Sequence, residues 1–317
     1  MLKCLLIFVL GLLSFASCAQ DSLEQSNQEL DPTINQAPSF FTRAKSPHRG
    51  RIIGVSSSIG GVWAGSMIAL QTVWYSEGSN GTFQFFDDSR NWLQMDKVGH
   101  VYTAYQLNRL TGGLYEWSGV NQTTSTWIGF GVSMGYQTTL EVLDGFSGEW
   151  GWSWADFASN TIGSTLYTTQ ELIWKEQRIL PKFSYSPTPF AAIRPQVLGS
   201  TFSESLLKDY NGQTYWLSFS PGSFFPNSSI PKWACISFGY SAHEKLVGSE
   251  STYYDTFSNT TYSEQREFLF SLDIDFSQLP IRRPWLKAIV NQFNYLKIPF
   301  PALILRDGSL MAHPLYF

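Results

Sequence analysis

The 317-residue chain has few charged side chains and many aromatic ones. Charged residues make up 15% of the chain and aromatic residues 16%, and the formal net charge is −4. Soluble domains usually contain about 25% charged residues, so this composition indicates either a large core or a membrane-facing surface. The negative net charge, and the lack of a basic cluster beyond Arg282-Arg283, argue against nucleic acid as a partner.

The N-terminal residues have the pattern of a secretory leader. Lys3 supplies a positive charge, the apolar segment from Leu5 to Leu13 is too short to span a bilayer as a helix, and small residues follow. We therefore predict a signal peptide over residues 1–19 and an exported protein of the periplasm or outer membrane. Two alternatives remain for its removal. One is ordinary cleavage before Gln20, and the other is a lipobox ending at Cys18, which would anchor the chain by lipidation.

A polar, Pro-containing tether over residues 20–50 precedes a predicted helical domain over residues 51–180. The predicted helices cover residues 52–75, 96–110, 125–143 and 153–171. The first is uncharged and long enough to cross a membrane. It carries one stripe of small residues that would let another helix approach closely, formed by Gly54, Ser58, Gly61 and Gly65.

Signals for the ends of the other helices are clear in the sequence. The second helix is expected to end before Thr111-Gly112-Gly113, since glycine pairs often terminate helices. The fourth is expected to begin at Ser153, which precedes Asp156 by three residues in a variant of the capping box. These four segments predict a four-helix bundle, and its composition is compatible with membrane association.

Residues 181–317 form a Pro-rich region that is predicted to be mainly β. Alternating runs predict strands at residues 214–219, 234–240 and 268–276, helical spacing returns at residues 284–296, and a last strand is expected at residues 302–305. In the third run, Phe268, Phe270 and Leu272 share one face while Ser271 and Asp273 share the other, which is typical of a half-buried antiparallel strand. The predicted fold class is therefore α+β, with the helical bundle followed by a strand-rich antiparallel C-terminal half.

Polar side chains recur at helical spacing inside the apolar helices. They lie on three helices, and they are Asp96, Lys97 and His100; Gln137, Glu141 and Asp144; and Asp156 and Asn160. Residues three or four positions apart share a helix face. Because unpaired polar groups are costly away from water, we expect these faces to meet one another.

Three interpretations of this cluster remain open. In the first, ion pairs and hydrogen bonds fix the register of the helices, and the structural or substrate-binding residues are Lys97, Gln137, Asp144 and Asn160. In the second, a histidine base is oriented by carboxylates, and the catalytic residues are His100, Asp96, Glu141 and Asp156. In the third, a divalent metal ion binds to His100, Glu141, Asp144 and Asp156. No other cofactor is evident.

Three motifs also carry a family resemblance. They are Asp96-Lys97-Val98-Gly99-His100, then Glu141 with Asp144-Gly145, then Ser153-x-x-Asp156-x-x-x-Asn160-x-x-Gly163. From about residue 50 to the C-terminus the chain resembles the YfiM-like predicted periplasmic lipoproteins, domain-of-unknown-function family 2279. The order of the helical motifs also resembles that of VanZ-like membrane proteins. The resemblance implies an exported envelope protein and no particular activity, because the YfiM-like family is itself uncharacterised.

Two functions follow as hypotheses. The first is a membrane-associated structural or binding protein of the envelope, whose partner is the membrane or an envelope component and whose protein partner is unknown. It predicts that the polar cluster is buried, mutually bonded and closed to solvent. The second is a hydrolase or transferase acting on lipid or cell-wall material through His100 and carboxylates, with or without a metal. That function requires an open cavity that reaches these side chains.

Overall fold

The computed structural model describes residues 40–73, 81–148 and 150–317. The predicted leader with Cys18, and residues 20–39 of the predicted tether, lie outside the described residues. Within the described residues, long helices form the N-terminal part and an antiparallel sheet dominates the C-terminal part. This architecture confirms the predicted α+β fold class.

The long helices, which we call the helical region, are α1 (Arg49–Val73), α2 (Met95–Trp117), α3 (Gln122–Gly145) and α4 (Trp154–Ile173). The shorter helices are α5 (Phe190–Ile193), α6 (Pro195–Leu198), α7 (Phe202–Lys208), α8 (Pro221–Phe224) and α9 (Pro284–Asn291). The strands are β1 (Ile179–Tyr185), β2 (Gln213–Phe219), β3 (Ala234–His243), β4 (Thr252–Asp255), β5 (Thr260–Ser263), β6 (Gln265–Ile274), β7 (Phe300–Arg306) and β8 (Ser309–Tyr316). Single 3-10 turns cover Asn91–Gln94, Phe276–Gln278 and Gln292–Tyr295.

Side-chain caps fix where α3 and α4 begin. The Asn121 side chain accepts a hydrogen bond of 2.9 Å from the backbone N–H of Thr124, and Ser153 Oγ accepts one of 3.1 Å from the N–H of Asp156. Each bond satisfies a backbone donor that the first helical turn cannot pair. The Ser153 cap predicted from the sequence is therefore confirmed.

The predicted end of the second helix is wrong, because α2 continues through Gly112 and Gly113 to Trp117. Gly112 lies against the start of α3, where an added Cβ would be 3.4 Å from the carbonyl oxygen of Ser125. The missing side chain lets the two helices pack closely here. A glycine needed for packing gives the same sequence signal as one that ends a helix.

The small residues of α1 do not face another helix within the described residues. Gly54, Gly61 and Gly65 are exposed, and a Cβ added to any of them would meet nothing within 4 Å. The predicted close contact along this stripe is therefore wrong for the described part of the chain. The buried side of α1 instead packs on α2 and α3 in a core formed by Val55, Ile59, Leu70, Leu107, Leu110, Leu114, Trp117, Tyr136 and Leu140.

The main sheet has the strand order β1-β2-β3-β6-β7-β8, and all neighbours are antiparallel. One end of the sheet packs on α2, where Tyr102 lies 5.9 Å from Phe183 and 5.7 Å from Tyr215 between ring centroids. On the other side of β1, Lys297 N–H donates a hydrogen bond of 2.9 Å to Phe183 O. The segment that leads into β7 therefore covers the edge of β1.

The polar face of the sheet is buried, and much of its apolar face is exposed. Along β6, Ser271 and Asp273 are each 3% exposed, whereas Phe268 and Leu272 are 54% and 56% exposed. The sequence predicts the alternation correctly. Its direction is the reverse of the usual arrangement in water, in which the apolar face is covered.

Helices α3 and α4 show the same reversal, with polar side chains inside and apolar side chains outside. All the charged side chains of α3 and α4 are buried, namely Glu141, Asp144, Asp156 and Glu171. The large exposed side chains of these helices are apolar or aromatic, namely Trp127, Val142, Trp154, Ile162 and Ile173. Among the described helices, α1 is the one long and apolar enough to cross a membrane by length and composition.

Candidate functional site

The predicted polar residues converge at one end of the helical region. The first turns of α2 and α4 and the last turns of α3 meet there. We call the resulting group of side chains the polar cluster, and its members are Asp88, Asp96, Lys97, His100, Glu141, Asp156 and Asn160. The prediction that the polar faces of the three helices meet is confirmed by these contacts.

A left-handed turn sets the start of α2 and hence the position of Asp96. Trp92, Leu93 and Gln94 have φ angles of 51°, 52° and 63°. Such a conformation costs roughly 1–2 kcal/mol per residue for side chains other than glycine. The C-terminal half holds the turn in place, because the Leu93 carbonyl accepts hydrogen bonds from Tyr240 OH at 2.5 Å and Arg266 Nη1 at 3.1 Å.

Lys97 is the cation at the centre of the polar cluster. Its Nζ lies 2.6 Å from Asp88 Oδ2, 3.0 Å from Asp96 Oδ2 and 2.7 Å from Asp156 Oδ1. Burial alone would lower the pKa of Lys97, but the charges of Asp96 and Asp156 outweigh it and raise the pKa above its ordinary value. Lys97 is therefore charged and joins α2 to α4.

His100 uses its two ring nitrogens differently. Nδ1 lies 3.0 Å from Asn160 Oδ1, which also accepts a 2.7 Å hydrogen bond from Gln137 Nε2. Since the Asn160 oxygen is an acceptor, Nδ1 is the donor in this pair. Nε2 faces the carboxylates, 3.5 Å from Asp156 Oδ1 and 3.8 Å from Asp96 Oδ1.

The electrostatics of the polar cluster favour bound protons at neutral pH. Burial lowers the pKa of His100, but Asp156, Asp96 and Glu141 outweigh it and raise the pKa to about 9. Burial raises the pKa of Glu141 to about 8 and also raises that of Asp156, whereas for Asp96 the neighbouring His100 and Lys97 charges overcome burial and lower the pKa. At neutral pH His100 is therefore positively charged and is not poised to act as a base.

Glu141 lies behind His100, on the Nδ1 side of the ring. Its Oε1 is 3.9 Å from Nδ1 and accepts no hydrogen bond, while Oε2 receives the backbone N–H of Ser153 at 3.5 Å. Asp144 is buried one helical turn farther along α3, and its charge helps to raise the pKa of Glu141. Asp144 contributes to the field at the cluster but is not among the residues that converge on Nε2.

The polar cluster is buried except at Asp96 and Asp88. His100, Glu141 and Asp156 are 5%, 1% and 4% exposed, whereas the side chains of Asp96 and Asp88 are 27% and 17% exposed. Burial and mutual bonding agree with the structural interpretation. Part of the Asp96 side chain therefore faces solvent at one side of the cluster.

Two members of this environment had no signal in the sequence. Asp88 precedes α2 and bonds both Lys97 Nζ, at 2.6 Å, and Ser153 Oγ, at 2.5 Å. Tyr210 lies 114 residues beyond Asp96 and donates a 3.0 Å hydrogen bond to its Oδ1. No periodicity or spacing links such distant positions, so only the fold could reveal them.

Comparison with known proteins gives a family match over the same helices. A family model described as "Predicted periplasmic lipoprotein (DUF2279)" matches residues 83–170, a shorter stretch than the predicted resemblance. The similarity to VanZ-like proteins is not shown. No curated protein and no solved structure matches the chain. The description agrees with the predicted export of the chain to the cell envelope, and it assigns no reaction.

Proposed function

We propose that the protein is a membrane-associated structural or binding protein of the cell envelope, with its apolar surfaces against lipid. The observation that carries the proposal is the reversed polarity of the molecule. Charged groups are inside the helical region, and Ile162 and Ile173 of α4 are 59% and 67% exposed. Water would make this arrangement costly, whereas lipid contact would make it favourable.

The sheet supports the same proposal independently. Its exposed apolar side chains come from neighbouring strands and form one continuous surface, through the cross-strand pairs Phe238–Phe270, Phe270–Leu303 and Phe268–Leu305. An apolar surface of several strands is unusual on a monomer in water and marks an interaction site. A lipid surface could cover both this sheet and helices α3 and α4, because contact with lipid requires no specific shape complementarity.

Aromatic side chains at the cluster end of the helical region add a third argument. Phe85, Phe86, Trp150 and Trp154 are 66%, 51%, 45% and 63% exposed. Trp and other aromatic residues are enriched where membrane proteins meet the interface between lipid and water. In this proposal the polar cluster is structural, because it ties α2, α3 and α4 together beneath that interface.

Membrane fractionation of the full chain tests the proposal. Cys18→Ala removes the lipidation site of the lipobox alternative, so any remaining membrane association comes from the body. We expect this variant to remain largely in the membrane fraction and to be released when Ile162→Glu and Phe270→Glu are added. The matched control adds Ser203→Glu, at an exposed position outside both apolar surfaces, and should stay membrane-bound. If Cys18→Ala alone gives a fully soluble monomer without detergent, the lipid-contact proposal fails.

A second candidate function is an envelope hydrolase or transferase. The convergence of His100 with Asp96 and Asp156 favours it, and part of the Asp96 side chain faces solvent. Purified protein would be incubated with phospholipid vesicles or with peptidoglycan, and products would be identified by mass spectrometry. Product formation that is lost in His100→Gln and kept in His243→Gln supports catalysis. Absence of product from both substrates contradicts it.

A further inference from the structure

Three donor atoms in the polar cluster have the spacing of metal ligands. Asp96, His100 and Asp156 each offer one atom, and these atoms all lie within 4.8 Å of one another. His100 Nε2 is 3.5 Å from Asp156 Oδ1 and 3.8 Å from Asp96 Oδ1. Two ligands of a tetrahedral ion with bonds of roughly 2.1 Å lie about 3.4 Å apart. The two separations from Nε2 therefore lie within a few tenths of an ångström of this spacing, and the two carboxylate oxygens lie within 4.8 Å of each other.

The orientation of His100 is that of a metal ligand. Nδ1 donates to Asn160 Oδ1, and Asn160 is itself held by Gln137. Metal-binding histidines usually donate their second ring N–H to an oxygen in this way, which fixes the ring and leaves the other nitrogen for the ion. The other ring nitrogen here is Nε2, and it faces the two carboxylates.

Buried polar atoms without hydrogen bonds give a second, independent indication. Glu141 Oε1 and Asn160 Nδ2, in side chains that are each 1% exposed, have no hydrogen-bond partner. Asp156 Oδ1 is not among these unpaired atoms, because it forms a 2.7 Å ion pair with Lys97 Nζ. Buried polar groups are almost always paired. The unpaired Glu141 Oε1, 3.9 Å from His100 Nδ1, therefore points to a missing partner beside the imidazole ring, whereas Asn160 Nδ2 is a donor and cannot bind a cation.

Four carboxyl groups face the cluster, from Asp88, Asp96, Glu141 and Asp156, and its two basic side chains are Lys97 and His100. Lys97 can keep its contacts with Asp88 and Asp96 when an ion binds, because these use the Oδ2 atoms, but its 2.7 Å contact with Asp156 Oδ1 must lengthen. The proposed ligand atom of Asp96 is Oδ1.

We propose that Asp96, His100 and Asp156 bind one divalent transition-metal ion. One imidazole nitrogen and two carboxylate oxygens suit Zn²⁺, Mn²⁺ or Fe²⁺ better than Mg²⁺ or Ca²⁺, which favour all-oxygen sites. The ion joins α2 to α4, and Asn160 and Gln137 act as positioning residues for His100. The inference concerns the same side chains as the second candidate function, but it requires no catalysis.

Metal analysis of the purified full-length protein tests this proposal. Chelator-treated protein would be exposed to Zn²⁺ or Mn²⁺, freed of excess metal and analysed for bound ion. We expect about one ion per chain, and at least about 100-fold weaker binding in Asp96→Asn and His100→Ala. Asn160→Ala should bind about 10–100-fold more weakly, as for loss of a positioning residue. The matched control is His243→Ala, a half-buried histidine outside the cluster, and should bind as the wild type does.

A measurement on the unaltered protein guards against variants that do not fold. The X-ray absorption spectrum of bound Zn²⁺ should show imidazole scattering together with oxygen ligands. No stoichiometric metal in the wild type, or a spectrum without imidazole, overturns the proposal. Undiminished binding in folded Asp96→Asn does the same. Loss of metal binding would leave the lipid-contact proposal unaffected, because membrane fractionation depends on the outer surfaces rather than on the cluster.

Discussion

Gly163 lies where α4 crosses α2, and an alanine there should separate the two helices. A Cβ at this position would be 2.1 Å from the carbonyl oxygen of Val101. Neither atom is the end of a flexible side chain, so the helices would have to move apart by about 1 Å to restore an ordinary contact. The same two helices hold Lys97 against Asp156 and His100 against Asn160.

The expected loss of stability follows from these contacts. Overpacking a well-packed core costs typically about 1–3 kcal/mol, and the higher helix propensity of alanine returns up to about 1 kcal/mol. The shift also stretches the 2.7 Å ion pair between Lys97 and Asp156 and the 3.0 Å hydrogen bond between His100 and Asn160. We therefore expect Gly163→Ala to lower the free energy of unfolding by at least about 2 kcal/mol.

Chemical denaturation in detergent, followed by circular dichroism, measures this loss. The matched control is Gly131→Ala on α3, where an added Cβ meets nothing within 4 Å. Because that glycine is exposed within a helix, its replacement should raise stability by up to about 1 kcal/mol. If the two variants were equally stable, the close approach of α2 and α4 at Gly163 would be refuted.

Three further predictions concern the C-terminal half. Lys182 and Asp273 form a fully buried 2.9 Å ion pair, so Lys182→Met should lower the free energy of unfolding by about 3–5 kcal/mol. Adding Asp273→Leu removes the unpaired charge and should recover most of the lost stability. Equal loss of stability in the single and the double variant would contradict this prediction. Burial lowers the pKa of Lys297 to about 8, below its unfolded value of 10.5. The unfolded chain then binds more protons between these values, so stability should rise from pH 8 to pH 10.5 in the wild type and rise less in Lys297→Met, as measured by urea denaturation across this range. Burial raises the pKa of the Cys235 thiol to about 12, so a thiol reagent should modify Cys235 only after unfolding; rapid labelling of the folded protein would show that the thiol is accessible.

Local signals predicted much of the fold. The hydrophobic spacing and the Ser153 cap located the helices, and alternation located β2, β3 and β6. β1 was not predicted, because Pro181 lies within it and proline normally argues against a strand. Its pairing with β2 depends on a long-range register, Pro181 opposite Leu217, that no local pattern records.

The direction of burial could not be read from the same patterns. Alternation along β6 shows that Phe270 and Ser271 point to opposite faces, but it does not show which face is covered. Periodicity shows only that polar and apolar residues lie on opposite faces, and the pattern is the same whether the exposed face meets water or lipid. The surrounding medium decides the choice, and the sequence pattern carries no record of it.

Only part of the polar cluster could be predicted from the sequence, because spacing gives the helix faces and not the way the helices cross. Four-residue spacing places Asp96 with His100 and Asp156 with Asn160, so each pair could be assigned to one helix face. Which nitrogen of His100 meets which partner depends on how α2 crosses α4. That crossing is set by Gly163 and Val101, whose role becomes visible only when the two backbones touch.

The left-handed turn at residues 92–94 makes the two halves of the chain a single folding unit. At roughly 1–2 kcal/mol per residue, the conformational free energy of the three left-handed residues is unfavourable by about 3–6 kcal/mol, and contacts outside α2 must offset this cost. The turn is supported by Gly248, Tyr240 and Arg266, all beyond residue 180. We expect a fragment cut at that point to lose these hydrogen bonds and to hold the start of α2 less firmly. The C-terminal half thus holds the start of α2 at two points, through this turn and through the Tyr210 hydrogen bond to Asp96.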